Sequence, residues 1–117
     1  MRNPPQGWPR ISASSFYDDA PAAIEWLGRV FGFEPRVTVD GPDGRIQHSE
    51  LMLGEGLVMV ASSDECRKSP RALDGTNTQG LYVFVDDVDA HCAAARAAGA
   101  TILSEPETQH YGHRTYG

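Results

Sequence analysis

The sequence predicts an α+β fold: two repeated β-α-β-β-(β) modules forming a curved mixed sheet around a cleft. Three observations predict it. Amphipathic helical stretches alternate with runs rich in β-branched and aromatic residues. Each helical stretch opens on Asp-Asp and closes on Gly. The order strand, Asp-Asp, helix, Gly, strand, Glu-Pro also occurs twice, in "FYDDAPAAIEWLGRVFGFEP" and "FVDDVDAHCAAARAAGATILSEP". Asp18-Asp19 and Asp86-Asp87 are 68 residues apart, and Gly32 and Gly99 are 67 apart.

The elements follow in order. "RISASSFY" (10–17) has the residues of a short strand. In the next stretch Asp18 or Asp19 caps a helix, and Pro21 suits a first turn, where a missing N–H costs nothing. Ala20, Ile24, Leu27 and Phe31 fall at helical spacing, so one stripe must face a core. Gly32 stands where a left-handed C-terminal cap is wanted. Residues 35–39 read as a strand, "DGPDG" (40–44) as a turn, 45–53 as an alternating strand, and 57–62 as its hairpin partner across "GEG". Residues 81–85, "LYVFV", read as a buried strand, apolar on both faces. Asp86 or Asp87 caps a second helix with Val88, Cys92 and Ala95 as its stripe, and Gly99 ends it. Residues 101–105 and 114–116 read as further strands. One domain over 1–117 results: module one at about 10–62, a polar crossover loop at 63–79, and module two at about 80–117.

Composition narrows the function. A net charge of −6 and a pI near 5.0 argue against nucleic acid, whose phosphates would be repelled. No apolar run reaches the roughly 20 residues of a membrane span, and the N-terminus lacks a signal-type apolar core. Cys66 and Cys92 form neither a disulfide framework nor a zinc pattern, so a cytoplasmic protein with reduced thiols is expected.

Four blocks in order carry a family likeness: "RISASSFYDDAPAAIEWLGRVFGFEP", "HSELMLGEGLVMVAS", "QGLYVFVDDVDAHCAAARAAGATILSEP" and "YGHRTYG". Over roughly residues 8–117 the chain resembles the glyoxalase/bleomycin-resistance/dioxygenase proteins, the vicinal oxygen chelate superfamily. That superfamily spans isomerases, dioxygenases, thiol transferases and metal-free drug-binding proteins. The resemblance implies a final strand beyond Gly117, carrying an acidic metal ligand, and so a second module short of its last strand. It also implies metal-ligand positions near Ser12, at Glu50 and at Leu81. Serine is a poor ligand and leucine none, so no metal cofactor is expected. The alternative is one divalent ion held by His48 and Glu50, with His110 or His113 adding a donor.

Strand alternation puts His48, Glu50 and Met52 on one face and Leu51 and Leu53 on the other. The resemblance adds Ser12, Ser14 and Phe16 from the first strand and Leu81 and Val83 from the fifth. Trp8, Trp26, Tyr111 and Arg114 are candidates to rim the cleft, with packing at the helix–sheet or subunit boundary the favoured reading of Trp26. The wall is mostly apolar with a few polar groups, the usual make-up of a small-molecule pocket. The first expectation is therefore metal-free binding of a small ligand, cationic or aromatic, with Glu50 as countercharge. The second is a metal-dependent glyoxalase-like lyase, isomerase or dioxygenase using His48 and Glu50. The third is a ligand-free interaction module. A homodimer is expected in each case, because an open sheet edge invites pairing.

Overall fold

A computed structural model describes residues 1–117, which divide into two compact units, 1–78 and 79–117. The first unit holds four strands, β1 (Ala13–Tyr17), β2 (Glu34–Asp40), β3 (Ile46–Leu53) and β4 (Gly56–Ser62), and one helix, α1 (Ala20–Phe31). The sheet order is β1-β4-β3-β2, with β1 parallel to β4 and the other pairs antiparallel. No helix is long and apolar enough to cross a membrane.

Local chemistry fixes α1. The Asp19 carboxylate accepts from the Ala22 N–H at 3.0 Å, and Gly32 adopts φ +76° to close the helix on the Gly28 and Leu27 carbonyls. Ala20 is fully buried with Ile46, Leu51 and Val60, and Ala23, Ile24 and Leu27 pack against that cluster. The helix thus covers one face of the sheet. Two buried serines also lie on the sheet. Ser49 donates to the Val60 carbonyl at 2.5 Å, and Ser62 accepts from the Ile46 N–H at 2.9 Å, so neither leaves an unpaired group in the core.

The antiparallel strands join through tight turns. β3 and β4 meet across Gly54-Glu55, where Gly54 takes φ +57°, a conformation that suits glycine. Two register shifts mark the β2–β3 pair, one between Pro35 and Val37 and one between Val39 and Asp40. The second brings Ile46 opposite Asp40 and into the core cluster, although unbroken alternation would put it on the face of His48.

The second unit holds α2 (Val88–Ala97) and a short hairpin of β5 (Glu107–Thr108) and β6 (Arg114–Thr115). The Asp87 carboxylate caps α2 by accepting from the Ala90 N–H at 2.9 Å, and Gly99 follows at φ +100°. Cys92 and Ala95 are its buried residues. The helix-cap landmarks of the first unit therefore recur, but the strands around them do not.

Two strand expectations are corrected here. Residues 81–85 are irregular: their backbone has no ladder partner, and without one strand propensity alone does not make a strand. Residues 101–105 are irregular too. Ser104 and Gly117 exchange backbone hydrogen bonds at 3.0 and 3.1 Å, and the Leu103 N–H also donates to the Gly117 carbonyl, but this one pair is not continued into a ladder along 101–105. β5, by contrast, lies just after Pro106, where the sequence reading put no strand.

Candidate functional site

The face of the sheet opposite α1 is where the first unit gathers its candidate side chains. Pairing sets the rows. Ser14 lies opposite Met59, Met59 opposite Glu50, and Glu50 opposite Val37. The next row runs from Phe16 to Ala61, and Val39 lies opposite His48. Met52 is opposite Leu57, which is 4% exposed. By alternation Ser12 extends the Ser14–Phe16 side of β1.

Glu50 is the centre of this face and is 7% exposed. Its Oε2 accepts from Arg36 Nε at 2.9 Å and Nη2 at 2.6 Å, and its Oε1 lies 3.1 Å from His48 Nε2. The His48 ring and then the Arg36 guanidinium hold the Glu50 carboxyl below the usual carboxylate range. Arg36 reaches it because of the register shift at Pro35/Val37: Arg36 and Val37 together oppose the single Glu50. The guanidinium also donates through Nη1 to the Gly7 carbonyl at 2.5 Å, and its carbon lies 5.2 Å from the centre of the Trp8 ring.

The second guanidinium over this face is Arg67, 5.0 Å from the centre of the Phe16 ring. It is neutralised by Asp64, whose Oδ2 accepts from Nε at 2.9 Å and Nη2 at 2.5 Å. Each arginine thus comes with its own carboxylate. Met59 lies on β4 between β3, which carries Glu50, and β1, which carries Phe16. Met52 follows Glu50 on β3, and Val37 and Val39 continue the same face on the edge strand β2, an apolar wall with adaptable thioethers. The Ser12 hydroxyl, just ahead of β1, is buried without a hydrogen-bond partner.

Of the residues singled out in the sequence, Ser12, Ser14, Phe16, His48, Glu50 and Met52 therefore share one face. Leu81 and Val83, which the resemblance turned inward on a fifth strand, are exposed in the irregular stretch 81–85. In the same unit Arg114 makes a two-point ion pair with Asp89, at 2.6 and 2.8 Å. Tyr111 stands edge-on between His110 and His113, and the Tyr82 hydroxyl lies 3.3 Å from His113 Nδ1. Trp26 packs edge-on against Phe31 within α1, which is a structural role.

Sequence reasoning missed Arg36. An isolated arginine inside "PRVTV" was the available signal, but only the pairing of β2 with β3 reveals that it meets Glu50. The same pair decides how well the face suits a divalent ion. His48 and Glu50 supply two donors, Arg36 takes one carboxylate oxygen, and no set of three His, Cys, Asp or Glu side chains converges anywhere in the chain. These residues do not fit a bound metal.

A sequence model of the Glyoxalase/Bleomycin resistance protein/Dioxygenase superfamily matches residues 12–116. The chain is 33% identical to TioX from Micromonospora sp. ML1, covering 92% of this chain and 84% of that one with a TM-score of 0.70. TnmS3, an antibiotic binding protein from Streptomyces sp. CB03234, shares the fold at 19% identity and a TM-score of 0.65, over 85% of this chain and 76% of its own. An uncharacterized protein of Mycobacterium bovis is 32% identical over 115 residues, 93% of this chain and 74% of that protein. Its counterparts in two Mycobacterium tuberculosis strains match equally, and the chain spans 66% of their length.

Proposed function

The chain belongs to the Glyoxalase/Bleomycin resistance protein/Dioxygenase superfamily, and from that premise we propose that it binds a small, uncharged aromatic molecule without a metal. The ligand surface is the sheet face around Glu50. One observation carries this reading: the Glu50 carboxylate is already engaged by Arg36 and His48. The countercharge expected for a cationic ligand is thereby used within the chain, and so is the carboxylate a divalent ion would need. What the face offers a guest is apolar contact from Met52, Met59, Val37 and Val39. The antibiotic-binding description of TnmS3, a protein of the same fold, agrees with such a use.

Calorimetric titration with paired uncharged and cationic aromatic compounds tests the reading, run with and without EDTA. The expected result is binding of uncharged members, unchanged by chelation and weakened at least about tenfold by Met59→Lys, which puts a charge in the apolar row. Binding that appears only after stoichiometric uptake of zinc, nickel, manganese or iron would replace this reading with the metal-dependent enzyme.

We also propose a homodimer. Leu81, Tyr82, Val83 and Phe84 are exposed, Phe84 at 82%, in a strand-forming segment without a ladder partner. A second copy would supply both the missing backbone bonds and the apolar cover.

A further inference from the structure

We propose that the turn Pro5–Trp8 is a built-in competitor for the ligand, a strap whose indole occupies the place on Arg36 that a bound aromatic ring takes; this rests on the binding reading above. The turn is preformed. The Trp8 N–H donates to the Pro5 carbonyl at 3.0 Å, Gly7 takes φ +79°, and Pro4, Pro5 and Pro9 restrict the chain around it. Such a segment loses little entropy on docking. The hydrogen bond and the ring contact that tie it to the sheet both end on Arg36, through Nη1 to the Gly7 carbonyl and through the guanidinium face to Trp8. The edge of the same guanidinium is fixed by Glu50. Arg36 is thus a rigid, charge-neutralised platform with one planar face in use, and the chain itself supplies the aromatic ring. An incoming uncharged ring stacks on that face only by lifting Trp8.

Gly7 is the point at which the strap can be loosened without replacing either member of the ion pair. A Cβ at this position would lie 3.3 Å from Arg36 Nη1, and the positive φ disfavours any side chain. In a Trp26→Phe background Trp8 is the remaining tryptophan, so its emission reports the strap directly. Acrylamide quenching should rise severalfold in Gly7→Ala, with the far-ultraviolet circular dichroism unchanged. N-phenyl-1-naphthylamine, an uncharged aromatic fluorophore, should then bind about three- to tenfold more tightly to Gly7→Ala and Trp8→Ala than to the parent, the scale of one stacking contact and one hydrogen bond. Equal or weaker binding to folded Trp8→Ala would overturn the strap while the binding reading stands. No binding of this probe to the parent or to either variant would overturn both.

Discussion

At the scale of single residues, the open face works by neutralising its own charges. Asp64 shows the device clearly: it accepts from the Arg67 guanidinium first and then from the N–H groups of Arg67 and Cys66, which hold its pKa down to about 2 from 3.8. Glu50, Asp18 and Asp89 are lowered as well, by His48 and Arg36, by Ser69 and Ser63, and by Arg114 respectively. A carboxyl with a depressed folded pKa adds stability that is present above its unfolded value and lost as pH falls through the folded one. The melting temperature should therefore hold from neutral pH to about 4.5 and fall steadily toward about pH 2, with a shallower fall in Asp64→Asn. A profile identical in the variant would remove Asp64 from the account. The shared face of His48 and Glu50 was legible in the sequence, because alternation of period two is a local rule. Their partner Arg36 was not, because it depends on which residue of β3 lies across from it.

At the scale of elements, the two helices carry the same start signal in unequal settings. Asp19 and Asp87 each accept from the N–H three residues on, at 3.0 and 2.9 Å. α1 lays Ile24 and Leu27 on a four-stranded sheet, whereas α2 has ten residues, shorter than an isolated helix needs in water. Removing the cap should cost about 1 kcal/mol in either case. Asp19→Ala should appear as a lower global melting temperature, and Asp87→Ala as amide exchange about fivefold faster at residues 90–92. Equal global shifts in both variants would contradict this difference. Helix limits were readable because caps and glycines are local. The strand expected at 81–85 failed for the opposite reason: "LYVFV" has every intrinsic preference for extended pairing, yet a strand exists only where another backbone answers it.

At the scale of the whole molecule, that unanswered segment argues for assembly. Light scattering on the eluting protein should give about twice the 12.7 kDa of one chain, and Phe84→Glu should shift the population toward single chains. A particle of single-chain mass at micromolar concentration would end the homodimer proposal. The first unit was legible nearly throughout, because its hairpins, helix and core are close in sequence. The second was legible only in its helix and in the strand entered at Arg114, since its other expected ladders needed partners that short-range patterns do not specify.

The doubled residue opposite Glu50 has one more implication. Ahead of it, Arg36 points to the carboxylate; beyond it, Val37 and Val39 line the same side, which a flush register would turn toward α1. Loss of a single codon at Val37 would leave Arg36 alone opposite Glu50, keep Thr38 opposite Ser49 and Val39 opposite His48, and so take one apolar side chain off the open face without turning any other. Lineages of this fold can thus acquire new guest preferences by a change in strand length alone, with every amino acid that touches the carboxylate left as it was.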